Sequence, residues 1–428
     1  MALITANYFS GATEIASTML MSSLRLNDHH RMQTHHKRAR EPLWLFALAG
    51  LCASLVGLGL ARFAYTPLIP ALVAAKWFAP SDAVYLGAAN LAGYLAGALI
   101  ARQLAARIGA VVSLRVMMVL ASLCCIACAT PLSFAWFFGW RVLAGLTGGV
   151  IMVLAASTIL PHTPADKKGL VGGVIFAGVG LGIAASGTLV PLLLQQGLTE
   201  TWLALGALSA LLTLVSWRAW PAETRTTKAP VSHQPAPRKA SALITMLWAE
   251  YGLNAVALVP HMVFLVDFVA RGLGQGIAAG SAYWVLYGLG AIVGPLLSGH
   301  LADRAGFGPA LRAAFLIQAV AIALPALSTA PAVLIVSSVI VGGFTPVIVP
   351  LVLGRIHELV PHSSTEQRAA WAQATTSFAL LQAVGAYGLS YGFARSDGNY
   401  AMLFAIGAAA AAGALAIDLV AGLRERRA

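Results

Sequence analysis

The sequence predicts an all-α integral membrane protein, with twelve transmembrane helices in two six-helix halves. Three observations predict it. The 428-residue chain is 59% hydrophobic and only 10% charged, far from the balance of a soluble domain. Its apolar stretches run to about 20 residues or more, enough to cross a hydrocarbon core of about 30 Å as helix. And Leu104-Ala-Ala-Arg-Ile-Gly-Ala-Val-Val-Ser-Leu-Arg115 returns as Leu301-Ala-Asp-Arg-Ala-Gly-Phe-Gly-Pro-Ala-Leu-Arg312, a shift of 197 residues with six of twelve positions identical. Gly93 and Gly97 fall on Gly290 and Gly294 at the same shift.

The spans follow in order, most of them bracketed by basic residues. The first, 43–73, ends before Lys76, and 83–103 closes on Arg102. Next come 110–131, 133–158, which stops short of Lys167 and Lys168, and 169–195. The sixth, 201–220, takes in Arg218 at its end; 242–270 lies between Lys239 and Arg271. Then 278–302 ends at Asp303-Arg304, 309–329 and 331–356 meet near Pro331, 367–394 ends at Arg395, and 399–422 precedes Arg424. All are expected to be helical, because an open strand leaves backbone groups unsatisfied in lipid.

Charge orients the bundle. With the N-terminus, the alternate loops and the C-terminus on the cytoplasmic side, those segments hold 22 of the 27 Lys and Arg residues. The outer loops hold three, Lys76, Arg271 and Arg395, while Arg62 and Arg141 lie inside spans. The positive-inside rule therefore places both termini in the cytoplasm, in a plasma (inner) membrane. The net charge of +12 is a topology signal, not a nucleic-acid footprint. Residues 1–41 form a basic N-terminal extension, read as disordered or as an amphipathic segment on the inner leaflet. Residues 42–220 make the first half, 221–241 a Pro- and Thr-rich linker, 242–422 the second half and 423–428 a tail. The four cysteines, Cys52, Cys124, Cys125 and Cys128, sit in apolar spans and read as packing residues. No phosphate-binding loop, catalytic constellation or metal-ligand cluster stands out. No enzymatic activity, cofactor or metal is expected.

Gly299-His-Leu-Ala-Asp-Arg-Ala-Gly306 resembles the signature loop of the major facilitator superfamily, and 104–109 is its earlier copy. Arg141-x-x-x-Gly145-x-x-x-Gly149 resembles that superfamily's fourth-helix motif. Gly57-Leu-Gly-Leu-Ala-Arg-Phe-Ala-Tyr-Thr-Pro-Leu-Ile-Pro70 and Pro260-His-Met-Val-Phe-Leu-Val-Asp-Phe-Val-Ala-Arg-Gly-Leu-Gly274 resemble its YbfB/YjiJ branch. The resemblance spans about 43–422. It implies the superfamily fold, transport by alternating access, and helices 1, 4, 7 and 10 around a central site, but no substrate. The chain departs from the pattern twice. Ala106 stands where the second loop copy has Asp303, and Ile183 stands where an antiporter motif wants proline.

Chemistry must come from polar groups that lipid makes expensive, since a charge at helix centre costs at least about 2.5–3.5 kcal/mol. Arg62 lies about 12 Å inside the outer end of helix 1, Arg141 at a similar depth in helix 4 and His261 near that level in helix 7. Neither arginine has an acidic partner within the first six spans, where Asp82 sits only at an edge. Two readings fit: an anion receptor, because guanidinium grips carboxylate bidentately, or a brace for helix-end carbonyls. Pro67 and Pro70 favour the brace, by freeing carbonyls for Arg62. Glu250, His261 and Asp267 are candidates for proton coupling, Asp267 being equally placed to pair with Arg271. Arg107, Asp303 and Arg304 are expected to hold a cytoplasmic gate. Asn90, Tyr94, Tyr283, Tyr287 and Gln382 complete a candidate cavity wall suited to a small organic acid. The expectation is a monomeric secondary transporter, a symporter of protons and a small-molecule anion across the lipid bilayer. An exporter of amphipathic compounds and a transport-inactive sensor are the alternatives.

Overall fold

The computed structural model describes residues 43–164, 167–222, 238–361 and 364–426. The N-terminal extension 1–41 and residues 223–237 of the linker 221–241 lie outside the described residues, as do the last two residues of the tail. Among the described residues the chain is helical, with no strand. We label the long helices α1 (Leu43–Ala74), α2 (Pro80–Ile108), α3 (Ala110–Ala127), α4 (Phe134–Ile159), α5 (Lys168–Leu193) and α6 (Leu198–Ser216). They continue as α7 (Ala242–Gly272), α8 (Gly276–Ala305), α9 (Phe307–Leu327), α10 (Pro331–Leu359), α11 (Ser364–Arg395) and α12 (Tyr400–Arg426).

Eleven of these are long and apolar enough to cross a membrane among the described residues. α11 has the length but not the hydropathy, because Thr375, Thr376, Ser377, Gln382 and Ser390 dilute its apolar side chains. The helix starts follow local chemistry. Pro80 and Pro331 open α2 and α10, where a missing N–H is harmless. The Ser133 hydroxyl accepts from Trp136 N at 3.1 Å and caps α4.

The 197-residue shift recurs in three dimensions. Gly109 and Gly306, identical in the repeat, both turn the chain between helices with φ of 91° and 81°, a region that glycine enters without strain. α2 packs along α4 as α8 packs along α10. A Cβ on Gly93 would lie 1.9 Å from Val142 O, and one on Gly290 would lie 2.2 Å from Val339 O. Likewise Gly145 meets Asn90 O at 1.8 Å and Gly342 meets Tyr287 O at 2.0 Å. In each pair both partners differ by 197, so the repeat preserves the register of backbone contact and not merely a string of residues.

The two parts of the bundle meet along α5 with α8 and α2 with α11. The Trp284 indole on α8 donates to the Ser186 hydroxyl on α5 at 3.1 Å. α7 is the most enclosed helix, 89% buried over its apolar window, with α1 next at 67% and α6 only 33%. α1 and α7 therefore form the centre, and both depart from α-helical winding: Leu55–Phe63 in α1, and Pro260–Phe264 and Phe268–Gly272 in α7, are π-helical.

Candidate functional site

The π-helical turns of α1 organise the site. Their i→i+5 bonds, such as Ala64 N to Gly59 O at 3.1 Å, widen the helix, a departure that recurs at functional sites. The Ala61 carbonyl accepts from Arg141 Nη1 of α4 at 2.9 Å. The next residue, Arg62, donates from Nη2 to Gln382 Oε1 of α11 at 2.7 Å. Each guanidinium lies over aromatic rings: Arg141 over Tyr65 at 4.1 Å, and Arg62 over Tyr94 at 4.7 Å and Phe63 at 5.0 Å. Tyr65 is fixed in turn by donating its hydroxyl to Ala83 O at 2.7 Å. Asn90 Nδ2 donates to the Arg141 carbonyl at 3.2 Å, and Thr66 Oγ1 to Met262 O of α7 at 2.6 Å.

These groups surround a cavity of about 20 Å³, room for one water-sized occupant. α1, α2, α4 and α7 line it, including Arg62, Asn90, Arg141 and Met262. α10, which the resemblance implied, does not reach it: its Thr345 hydroxyl is bonded to the Tyr287 hydroxyl of α8. Arg62 is 8% exposed and Arg141 2%. Neither is in an ion pair among the described residues. The Nε–H of each has no hydrogen-bond partner in the protein. A desolvated cation–π contact is worth about 2 kcal/mol, against at least about 2.5–3.5 kcal/mol for each buried charge. The rings and carbonyls thus hold the two charges in place without neutralising them, which leaves an electropositive, partly unsatisfied cavity.

Of the residues singled out in the sequence, Arg62, Arg141, Asn90, Tyr94 and Gln382 come together here. Tyr287 stands beside them, stacked on Trp284 with ring centroids 4.9 Å apart. Tyr283 is buried in the apolar core and does not line the cavity. Nor does His261, although its neighbours Met262 and Val263 do. His261 Nε2 lies 2.8 Å from Ser337 Oγ, and that hydroxyl gives its own hydrogen to Ala321 O at 2.6 Å. Ser337 must then accept, so Nε2 carries the proton. The ring packs edge-on against Phe404 of α12, which keeps it among α9, α10 and α12.

Asp267 is also engaged elsewhere. It accepts from Nε and Nη2 of Arg271 at 2.5 Å each and from the Tyr400 hydroxyl at 2.6 Å, so both of its oxygens are paired. Glu250, 2% exposed, lies further along α7 within electrostatic reach of Asp418, Arg355 and Arg312. At the ends of α2 and α8, Arg107 and Arg304 are exposed, and the side chain of Asp303 lies outside the described residues. Glu358 does hold a neighbouring helix end. Its Oε1 accepts from Phe307 N at 2.9 Å, the first residue of α9 after the signature loop, while Oε2 accepts from Arg355 at 2.8 Å. Arg355 also reaches Glu425 of α12 at 2.5 Å. Sequence reasoning missed this network because its members are scattered over three helices. It missed the role of Tyr65, which entered only as a member of the first-helix string Gly57–Pro70. The α1 carbonyl that takes a guanidinium is Ala61's, and it goes to Arg141; the expectation had Pro67 and Pro70 freeing a carbonyl for Arg62, which instead donates to Gln382.

All four cysteines are buried and free. Among the described residues no group of His, Cys, Asp or Glu is arranged to hold a metal. No curated protein matches the chain. A family model described as "Uncharacterised MFS-type transporter YbfB" matches residues 54–419, and the chain belongs to that family of membrane transporters.

Proposed function

We propose that the protein is a twelve-span secondary active transporter that carries a small organic anion, a carboxylate, inward together with protons. Two six-helix halves, 42–220 and 242–422, joined by the cytoplasmic linker 221–241, work by alternating access as a monomer in the inner membrane, with both termini in the cytoplasm. Family membership makes it a transporter rather than an enzyme; substrate, coupling and direction are our reading. One observation carries it. Arg62 and Arg141 bring two buried positive charges to one cavity with no carboxylate of the described chain to neutralise them.

A carboxylate entering this cavity takes the guanidinium donors bidentately and competes with Gln382 and the Ala61 carbonyl for them. The Arg62–Gln382 and Thr66–Met262 bonds tie α1 to α11 and to α7. Occupancy therefore acts on the bonds that hold the two halves together, the differential contact that alternating access requires. Glu250 supports proton coupling. It is a buried acid on α7, the helix that also lines the cavity, and it lies within electrostatic reach of Asp418, Arg355 and Arg312.

Purified protein in liposomes should accumulate a labelled organic acid faster when the lumen is alkaline. Uptake indifferent to the pH gradient across a broad acid panel would overturn the symport reading. No uptake of any acid would overturn the anion.

A further inference from the structure

Arg312 of α9 closes the second copy of the repeat, and its counterpart at the 197-residue shift is Arg115. In the first half that arginine does without an acid: Arg115 lies over the Trp217 ring at 5.2 Å and is in no ion pair among the described residues. In the second half Arg312 donates from Nε to Asp418 of α12 at 2.6 Å, and Glu250 of α7 lies within electrostatic reach. The counterparts of these two acids are Pro221 and Ala53. The fold therefore accepts the arginine without a carboxylate, yet the second half carries two, both buried. Scaffolding does not call for them, because the desolvation of a buried ion pair largely offsets its Coulomb attraction.

Glu250 lies about 12 Å from the start of α7, Arg312 about 8 Å from the start of α9 and Asp418 about 12 Å from the end of α12, at 1.5 Å per residue. Successive helices reverse direction, so these ends share one side of the bundle and the three groups share one layer. α12 packs along both α7 and α9. A Cβ on Gly422 of α12 would lie 2.6 Å from Nη2 of Arg312, so glycine there leaves the guanidinium room. The other charge acting on Glu250 is Arg355 of α10, which already holds Glu358 through Nη1 and Glu425 through Nη2. α11, also packed along α7, turns to it Ser377, whose hydroxyl donates to Trp248 O at 2.9 Å. Arg355 shows that one guanidinium here can span two carboxylates.

We infer that Arg312 is a proton-controlled clasp between Asp418 and Glu250. When Glu250 gives its proton to water, its carboxylate takes an Nη–H of Arg312 while Nε stays on Asp418, and α7 is tied to α9 and α12. Protonation of Glu250 from water breaks that tie. Water reaches the layer past Arg312, which is partly exposed. α7 carries Met262, which lines the cavity and whose carbonyl takes the Thr66 hydroxyl. Proton occupancy thus sets how freely a cavity-lining helix moves. The inference rests on the coupling role of Glu250 and names the residues that would make it work.

The test titrates the purified full chain with pH and follows the carboxylic-acid infrared band of Glu250, identified by its loss in Glu250→Gln. Arg312→Lys keeps the charge but loses the fork that spans two carboxylates, so the midpoint of the band should rise by about one pH unit. Asp418→Asn gives Arg312 wholly to Glu250 and should lower the midpoint by about as much. The shifts have opposite signs, and each variant tests the clasp if the other does not fold. A midpoint in Arg312→Lys within about 0.3 pH unit of wild type would overturn the clasp, as would a rise in Asp418→Asn. Either result leaves Glu250 as the proton carrier and the coupling reading standing. A Glu250 band that does not titrate at all would overturn that reading and the clasp with it.

Discussion

Gly145→Ala tests whether the repeat is a repeat of backbone contact. The added methyl would sit 1.8 Å from Asn90 O, 2.7 Å from its carbon and 2.9 Å from Tyr94 N. These are backbone atoms of a packed helix and cannot swing aside. Ordinary contact begins near 3.4 Å, so α2 and α4 must part locally by about 1.6 Å. Overpacking costs about 1–3 kcal/mol, and a backbone-on-backbone clash belongs at the upper end. The gain in helix propensity offsets about 1 kcal/mol. The net loss is about 2 kcal/mol, or about 4–8 °C in Tm if a half of the molecule melts as a unit. Gly342→Ala should cost the same within about 1 kcal/mol, because its methyl meets Tyr287 O at 2.0 Å. Gly139→Ala is the control: nothing lies within 4 Å of its methyl, so Tm should hold or rise. Melting of the detergent-purified protein, followed by intrinsic tryptophan fluorescence, reads all three. Gly145→Ala melting at or above wild type would refute the reasoning.

Arg312→Ala strips the buried Asp418 of its 2.6 Å partner and should cost about 2–3 kcal/mol by thermal melting, below the range for a fully buried pair because Arg312 is partly exposed. The double variant Arg312→Ala, Asp418→Ala should recover part of that loss. His261→Gln should leave the pH dependence of transport unchanged, since its hydrogen bond to Ser337 is structural; an altered pH profile would return His261 to the coupling mechanism. Glu250→Gln should keep anion exchange between equilibrated compartments but lose accumulation driven by a pH gradient. Accumulation that survives would remove Glu250 from the coupling path.

The lattice of spans was legible because lipid leaves so few ways to satisfy a backbone, and α1 to α12 fall close to the apolar runs read from the chain. The repeat glycines were legible as symmetry, but their reason, close approach of paired helices, needs coordinates. Arg62 and Arg141 stood out because an intramembrane charge always needs an explanation. Whether they meet was a matter of helix rotation, and the π turns of α1 set that rotation. A regular helix extrapolated through Pro260 likewise gives His261 its depth but not its face, which the π turn and Ser337 decide. The Arg355–Glu358–Glu425 network left no trace in the sequence because its carboxylates lie at helix ends, where acidic residues are ordinary.

The central claim is that two uncompensated arginines recognise an anion. Its most direct test is equilibrium binding of an organic acid to Arg62→Gln and Arg141→Gln, both checked for folded yield and Tm. Removing a bidentate charged interaction from a desolvated site weakens binding by about 2 kcal/mol or more, so each variant should bind the acid at least about 30-fold more weakly while remaining folded. Affinity within about threefold of wild type in both folded variants would reduce Arg62 and Arg141 to braces for the bundle.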